Sequence, residues 1–363
     1  MSASLKLNQS DDTSNRPSSM RSECGTLRDR WYVACTSDEL AKTRPIGRII
    51  LDEHLVLLRR KDGTPICLLD RCIHRNAMLS EGRVRNDKLI CPYHGWTYDS
   101  TGQCVDIPSH PEKKIPAKRC LESFPTLEQD GVVWVYMGDP DDIRCEPFRI
   151  PFFNSDGWRT YYMVTAFENN VTNCVENFMD VPHTAHVHAG WFRNTSNRPI
   201  RTDVERTADS VLVTYHQESD TIGFTDRLLN PSGAPMKHTD HFYMPNITRV
   251  DYTFGKRQFI ITSQCTPVGP MKTMVYTTIS YRCGPVHNGM LRFFLPWYTR
   301  KVIDQDVDIL ANQSRSLQRY GADYMQMPAD VVHLYIESLR EWAENGETGT
   351  APAPIEREMT FHA

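Results

Sequence analysis

The sequence predicts an α+β fold, in which a small all-β domain comes first and an antiparallel-sheet domain capped by C-terminal helices follows. One observation is the series of short apolar runs, separated by turn residues, that fills residues 29–140. A second is a set of strand-like runs with short connections, typical of an antiparallel sheet, at 258–266, 274–282 and 290–295. The third is a pair of helical patterns, 299–320 and 329–345, each followed by a glycine.

Length, charge and cysteine usage limit the functional class. A chain of 363 residues favours two domains. Its 41 basic and 45 acidic residues give a net charge of −4, which argues against nucleic acid as the main partner. No stretch is apolar enough for a transmembrane helix, and the N-terminus lacks the apolar core of a signal peptide. We therefore expect a cytoplasmic protein whose 11 cysteines are mostly reduced.

Local signals set the expected domain limits. Residues 1–28 are rich in Ser, Asn, Asp and Thr and predict a flexible tail, or alternatively an arm packed on a neighbouring subunit. Further on, Asp62 and Gly63 separate two apolar runs and predict a hairpin. A stretch rich in Asp and Pro near residue 140 is a plausible boundary. We therefore expect a β domain at 29–140 and a second domain at 141–363.

Two Cys/His pairs in the β domain form the first candidate site. Cys72 and His74 are followed, after 16 intervening residues, by Cys91 and His94. Each pair places one thiolate and one imidazole on a loop, so that two loops could close on one metal centre. Common zinc fingers instead pair Cys with Cys and His with His. A [2Fe–2S] cluster with two Cys on one iron and two His on the other fits better; zinc and purely structural residues are the alternatives.

A histidine-rich segment in the second domain is the other candidate site. Asp180 is followed closely by His183, His186 and His188. Two imidazoles and one carboxylate on one face of an iron leave open coordination positions, as in nonheme Fe(II) oxygenases. On a regular helix His183 lies about 60° from His186 and about 140° from His188, so periodicity alone favours His186. A surface helix without metal is the alternative.

The carboxylate of such a triad can be argued from periodicity. On a helical wheel Asp306 lies in the middle of an apolar stripe, whereas Asp304 and Asp308 lie near the opposite side. A lone buried carboxylate is costly unless a partner compensates it, and a metal ion is such a partner. A buried salt bridge with Arg300 or Arg315 is the alternative.

The cluster-binding segment resembles that of the Rieske-type nonheme iron oxygenases. The motifs that carry the resemblance are CIHR at 72–75, LSEG at 79–82 and CPYHGW at 91–96. The family pattern Asp-x-x-His-x-x-x-x-His matches Asp180, His183 and His188, and the family's C-terminal carboxylate ligand lies in a run like that of Asp306. The resemblance therefore implies His183, His188 and Asp306 as iron ligands, with His186 as the alternative.

The same resemblance implies a role for Asp180 and an assembly. The carboxylate would connect His183 with the partner subunit's His94, orienting both rings; an N-terminal helix cap is the other interpretation. The single-chain organisation is most similar to the homotrimeric type, which includes vanillate and dicamba O-demethylases, saxitoxin-pathway hydroxylases and aminopyrrolnitrin oxygenase. We therefore expect a homotrimer in a head-to-tail ring.

The resemblance also implies the chemistry. The cofactors would be a Rieske [2Fe–2S] cluster and a mononuclear Fe(II), with O₂ as co-substrate and electrons from NAD(P)H through a flavin reductase, a ferredoxin or both. The expected reaction is hydroxylation or oxidative demethylation of a C–H bond in a small, cyclic organic substrate. Two alternatives remain: a Rieske electron-transfer protein whose second domain only docks partners, and a zinc protein with an interaction domain. Candidate pocket residues are Asn177, Phe178, Met179, Phe293, Phe294, Trp297 and Tyr298.

Overall fold

A computed structural model describes residues 27–41, 43–111, 120–191, 199–216, 230–231 and 233–362. Nearly all of the predicted tail at 1–28 therefore lies outside the described residues. The described part is mostly β-structure, with three α-helices. These helices are α1 (Val171–Met179), α2 (Pro285–Tyr320) and α3 (Val331–Glu344).

The N-terminal part folds into three small antiparallel sheets, with strand orders β1-β11-β10, β2-β3-β4-β9 and β5-β6-β7-β8. The strands are β1 (Trp31–Thr36), β2 (Ile46–Ile50), β3 (Glu53–Arg59), β4 (Pro65–Leu69), β5 (Arg83–Arg85), β6 (Lys88–Ile90), β7 (Thr97–Tyr98), β8 (Cys104–Asp106), β9 (Ser123–Phe124), β10 (Thr126–Gln129) and β11 (Val132–Tyr136). The predicted hairpin joins β3 to β4. Its turn is stabilised because Asp62 accepts a hydrogen bond from the Thr64 amide (2.9 Å) and Gly63 adopts a φ of +96°.

Strand β3 explains why this half contains a continuous apolar run. Leu55 and Leu57 face one buried cluster, whereas Val56 and Leu58 face another. Because successive side chains point to opposite faces, a strand buried on both sides must be apolar at every position. The cluster around Val56 also contains the thiol-bearing Cys72 and Cys91, so the core of the β domain supports the loops of the first candidate site.

The second part contains one eight-stranded antiparallel sheet with the order β12-β18-β17-β16-β15-β14-β13-β19. Its strands are β12 (Arg159–Phe167), β13 (Pro199–Arg206), β14 (Ser210–His216), β15 (Met236–Tyr243), β16 (Ile247–Phe254), β17 (Arg257–Gly269), β18 (Lys272–Arg282) and β19 (Ile355–His362). The strands predicted at 258–266 and 274–282 are confirmed as β17 and β18. The helices pack on this sheet through a shared apolar core.

The strand predicted at 290–295 is wrong, because these residues belong to helix α2. Leu291 and Leu295 are buried, whereas Phe293 between them is 76% exposed. Burial at a spacing of four residues is the helical period, and it continues through α2 toward Asp306. The helix predicted from residue 299 is therefore confirmed but begins earlier, and it ends as expected before Gly321, whose φ is +78°.

Apolar packing joins the two parts of the chain. Val33 and Trp134 from the N-terminal strands share a buried cluster with Ile247 and Tyr276 from the large sheet. The Thr266 hydroxyl also donates a hydrogen bond to the Val33 carbonyl (2.8 Å). The expected boundary near residue 140 stays a prediction. No helix in the described ranges is both long and apolar enough to cross a lipid bilayer.

Candidate active site and cluster site

Two closed loops position the four residues of the first candidate site. The Cys72 loop is tied at its base by Asp70, whose buried carboxylate accepts a hydrogen bond from the Ser80 amide (2.8 Å). The Cys91 loop is closed by a hydrogen bond from the Cys91 amide to the Trp96 carbonyl (2.8 Å). Both thiols are thereby held in buried positions at the base of the loops.

The two imidazoles lie side by side at the outer edge of these loops. The His74 and His94 rings meet edge-on, with centroids 4.6 Å apart, and His74 also stacks on Trp96. The Nδ1 atom of His74 is buried and has no hydrogen-bond partner among the described residues. A buried ring nitrogen without a partner is costly, and a metal ion would supply the missing contact. Two thiols beneath two imidazoles are the donor set of a Rieske cluster.

The second candidate site brings His183, His188 and Asp306 together. The Nε2 atoms of the two histidines are 3.3 Å apart, and they lie 3.5 Å (His183) and 3.2 Å (His188) from Oδ1 of Asp306. Their three donor atoms converge closely enough to bind one metal ion. Asp306 and His188 are almost fully buried. Two imidazole nitrogens and a carboxylate oxygen on one side of a common point are the donor set of the facial triad.

Neighbouring side chains orient each of these groups. Nδ1 of His188 lies 3.0 Å from Oε1 of Gln305, and Asn177 donates a hydrogen bond to Asp306 (3.1 Å). Nδ1 of His183 contacts the backbone carbonyl of Asp180 and lies 3.5 Å from its carboxylate. These contacts point both Nε2 atoms toward Asp306, which is how outer-shell partners fix metal-ligating histidines. The sequence provided no signal for Gln305 as an orienting residue.

The charges of the metal-free site reflect this close packing. Burial opposes ionisation of Asp306, but hydrogen bonds from His183 and His188 lower the pKa of Asp306 to about 2. Burial likewise opposes protonation of His183, but hydrogen bonds to Asp180 and Asp306 raise the pKa of His183 to about 9. Asp306 and His183 thus stabilise each other's charged forms, and a cation can take the place of the proton on His183.

An irregular segment explains the five-residue spacing of the two histidines. Helix α1 ends at Met179, with Asp180 as its C-terminal cap, and a 3-10 turn over Pro182–Ala185 follows. The backbone change carries His183 and His188 to the same side and leaves His186 exposed. The regular helix behind the periodicity argument is therefore absent here, and Asp180 does not cap a helix N-terminus.

Helix α2 places Asp306 on its buried side. Asp304 and Asp308 are exposed, as the wheel predicts, although Ile309 of the expected apolar stripe is 42% exposed. The Arg300 guanidinium pairs with Thr165 (2.9 Å) and lies 3.9 Å from Asp304, so it is not the partner of Asp306. His183 and His188 are instead the partners of the Asp306 carboxylate.

A cavity of about 120 Å³ adjoins the triad, between the helices and the large sheet. Three of the candidate pocket residues line it, namely Asn177, Phe178 and Tyr298. The other four do not line it: Met179 is buried in the core, Phe294 packs against that core, and Phe293 and Trp297 are 76% and 52% exposed.

The sheet supplies cavity residues that the sequence did not reveal. His238 of β15 stacks between Tyr215 and Tyr252 of the adjacent strands, with centroid distances of 4.4 Å to each. Asp240 accepts hydrogen bonds from Tyr215 and His238, both at 2.9 Å. His238, Asp240 and Tyr252 line the cavity. The sequence of β15 is polar from Lys237 to His241 and lacks the alternation of polar and apolar residues that would indicate a half-buried strand, so neither the strand nor its contact with the cavity could be predicted.

Comparisons with known families cover both candidate sites. Residues 30–125 match the Rieske [2Fe-2S] domain, and residues 167–339 match the vanillate O-demethylase oxygenase C-terminal domain. The structure also superposes on dicamba monooxygenase bound to dicamba with a TM-score of 0.78 and 26% identity, covering 89% of this chain and 99% of that one. The chain belongs to the Rieske-type nonheme iron oxygenases. Membership implies a Rieske cluster and a mononuclear iron, and the two donor sets fit these groups.

Curated relatives match this chain over shorter stretches. The dicamba O-demethylase oxygenase component of Stenotrophomonas maltophilia is 41% identical over 165 residues, covering 45% of this chain and 48% of that protein. The vanillate O-demethylase oxygenase subunit of a Pseudomonas strain is 30% identical over 197 residues, 53% of each protein. The aligned parts thus span about half the length of these relatives. Methylxanthine N1-demethylase NdmA of Pseudomonas putida is 33% identical over 180 residues, 47% of this chain and 50% of that protein.

Proposed function

We propose that this protein is the terminal component of a Rieske monooxygenase. It uses O₂ and electrons relayed from NAD(P)H to hydroxylate or oxidatively demethylate a C–H bond of a small cyclic organic substrate. The observation that carries the proposal is the convergence of His183, His188 and Asp306 beside a cavity lined mainly by apolar side chains. A purely electron-transferring protein would need neither that triad nor that cavity.

Each donor set has its own proposed group. Cys72, Cys91, His74 and His94 bind the [2Fe–2S] cluster. His183, His188 and Asp306 bind the mononuclear iron. When bound, the cluster supplies electrons singly and the iron supplies open positions for O₂.

The surrounding side chains then have positioning roles. Gln305 accepts the Nδ1 proton of His188, and Asp180 accepts that of His183, so that each ring directs Nε2 to the metal. The Asp180 carboxylate is 28% exposed, which leaves it accessible to the partner subunit's His94. We propose a homotrimer in which Asp180 makes this contact, with a flavin reductase, a ferredoxin or both as electron donor. The cytoplasmic location stays a prediction.

The cavity indicates the size of the substrate. Its volume of about 120 Å³ is close to that of an engineered apolar cavity of roughly 150 Å³ that binds benzene. Aromatic and aliphatic side chains of Phe178, Tyr252 and Ile279 line it, together with hydroxyl groups such as that of Ser263. A single-ring substrate with a polar substituent fits this lining.

Replacement of His183 tests the proposal. We expect the His183→Ala variant to keep the [2Fe–2S] signal in EPR spectra, to lose the additional iron in metal analysis, and to form no product. His186→Ala is the matched control, because His186 is exposed, and it should behave like the wild type. Activity is assayed with dicamba, vanillate and caffeine as first probes and a surrogate reductase. A His183→Ala protein that retains its third iron and its turnover contradicts the proposal.

A further inference from the structure

The outer face of the β5–β6 hairpin carries three cations. Arg83, Arg85 and Lys88 are exposed, whereas Val84 and Leu89 between them point to the core. None of the three cations forms a salt bridge within the part of the chain that the structure describes.

The register of this hairpin places two of the cations opposite each other. Arg85 is the direct cross-strand partner of Lys88. Like charges directly opposite each other destabilise an antiparallel pair. Pairing Arg85 with Lys88 therefore does not stabilise the fold, whereas an acidic partner protein would compensate the repulsion between the two charges.

The hairpin adjoins the cluster site. Strand β6 ends at Ile90, next to Cys91, and Ile90 pairs with Arg83. Arg75 is exposed and directly follows the cluster ligand His74, so it adds a further positive charge beside the cluster site. From residue 71 to residue 94 the chain contains five Arg and Lys residues but only two acidic residues, although its net charge is −4.

The nearby acidic groups do not neutralise this surface. Asp87 at the hairpin tip accepts a hydrogen bond from the Lys61 amide (2.7 Å). Asp106 is exposed on β8, two strands away from β6, and Glu81 is exposed just before β5. The surface therefore retains a positive excess beside the cluster ligands, which steers the approach of an acidic protein.

We propose that this basic hairpin is the docking surface for an acidic plant-type [2Fe–2S] ferredoxin domain. The proposal rests on the proposed function, in which electrons come from an external donor. One electron leaves the reduced ferredoxin, which becomes oxidised, and enters the oxidised Rieske cluster, which becomes reduced. The transfer is energetically favourable, because plant-type ferredoxins have reduction potentials of about −400 mV, whereas the reduction potentials of Rieske centres are roughly −150 to +300 mV.

A charge-reversal variant tests the surface. Arg85→Glu/Lys88→Glu is compared with Lys256→Glu/Arg357→Glu, a control with the same change in charge at two exposed positions, one in the turn between β16 and β17 and one on β19. Anaerobic stopped-flow spectroscopy follows reduction of the Rieske cluster by reduced plant-type ferredoxin, and calorimetry measures binding of the oxidised ferredoxin. At low ionic strength we expect the hairpin variant to lose at least about tenfold in both second-order rate and affinity. The difference should disappear near 0.5 M salt, because charges at that ionic strength are screened over roughly 4 Å.

Reduction by dithionite separates docking from damage to the cluster. We expect dithionite to reduce the hairpin variant fully and with unchanged EPR spectra. Three outcomes overturn the proposal: the hairpin variant reacts with ferredoxin at the same rate and affinity as the wild type, the control variant loses as much as the hairpin variant, or ferredoxin fails to reduce the wild-type cluster. Single-turnover product formation after chemical reduction tests the proposed function independently, because it needs no ferredoxin.

Discussion

At the scale of single residues, the first candidate site contains a contact that bears on its redox potential. The Tyr98 hydroxyl lies 3.1 Å from Sγ of Cys72. Burial raises the pKa of Tyr98 far above its usual value, so the phenol stays protonated and donates to the thiolate of a bound cluster. Hydrogen bonds to the sulfurs raise the potential of such a cluster, since they stabilise its more negative, reduced state.

Removal of that hydroxyl should lower the potential. We expect Tyr98→Phe to shift the reduction potential of the cluster by on the order of −60 mV, which corresponds to about 1.4 kcal/mol for a one-electron couple. Spectroelectrochemistry of the purified protein measures the shift. Tyr93→Phe is a suitable control, because Tyr93 is 65% exposed. An unchanged potential in Tyr98→Phe would show that the contact has no electronic effect.

Asp180 allows a second prediction at this scale. Replacement by Asn keeps the size of the side chain but removes the charge that orients His183 through a 3.5 Å contact. Loss of an outer-shell partner typically costs roughly 10–100-fold. We expect Asp180→Asn to retain both metal groups but to slow electron transfer from cluster to iron by that factor. Rapid-mixing absorbance spectroscopy follows this step. Asp304→Asn, on the exposed side of α2, should leave the rate unchanged.

At the scale of secondary-structure elements, helix α2 shows what the sequence could and could not predict. Its second half contains an apolar stripe on the helical wheel, and this stripe identifies Asp306 as a buried carboxylate without knowledge of the fold. The run at 290–295 was predicted as a strand because it is short and apolar, and such runs do not distinguish the two structures. Burial of Leu291 and Leu295 against the sheet, with exposure of Phe293, determines the helix.

A pair of alanine variants tests this correction. In a strand Phe293 and Leu295 would lie on the same face, whereas in the helix they lie on different sides. We expect Leu295→Ala to lower the free energy of unfolding by about 2–5 kcal/mol, since it removes a fully buried side chain. Phe293→Ala should change it by less than about 0.5 kcal/mol. Chemical denaturation measures both, and equal losses would contradict the helical register.

The candidate site was predictable to different degrees. Each Cys/His pair lies within four consecutive residues, so the cluster motif can be recognised directly in the sequence. The choice of His188 over His186 depended on resemblance, because the 3-10 turn that begins at Pro182 cannot be deduced from helical periodicity. His238 and Asp240 could not be found, because their approach to the cavity depends on how β15 pairs with its neighbours. Long-range pairing decides such contacts, and local sequence does not encode it.

Helix α1 contains a partly buried acid, Glu176, which predicts a pH dependence of stability. Burial, reinforced by the charge of Glu337, raises the pKa of Glu176 to about 8. Its Oε1 has no hydrogen-bond partner among the described residues. The folded state therefore retains a proton that the unfolded chain releases near pH 4.5, so this contribution to stability is full below pH 4.5 and is lost as pH rises toward 8.

Substitution by glutamine should remove this dependence. We expect the unfolding free energy of wild-type protein to decline between pH 4.5 and 8 relative to that of Glu176→Gln, so that the variant is the more stable protein at pH 8. Denaturant titrations at several pH values give the difference curve. Glu341→Gln, at an exposed position of α3, serves as control. Parallel curves for wild type and Glu176→Gln would show that Glu176 ionises normally.

At the scale of the whole molecule, the arrangement of the two donor sets raises the question of the electron path. The cluster residues lie on loops of the small sheets, with both imidazoles at the outer edge. The iron triad lies between the large sheet and its helices, and Asp180 beside it is partly exposed. In a head-to-tail ring, the exposed edge of one chain can meet the Asp180 region of the next. Electrons would then cross between subunits.

Mixed oligomers test this path directly. A cluster-deficient chain (Cys72→Ala/His74→Ala) and an iron-deficient chain (His183→Ala) should each be inactive alone. If electrons cross between subunits, an iron-deficient chain can reduce the iron of a cluster-deficient neighbour. Random assembly of equal amounts places the two chains in that order at one directional contact in four, so co-expression should restore about one quarter of wild-type turnover. If electrons instead stay within one chain, the mixed oligomers remain as inactive as their parents, because no chain then has both groups.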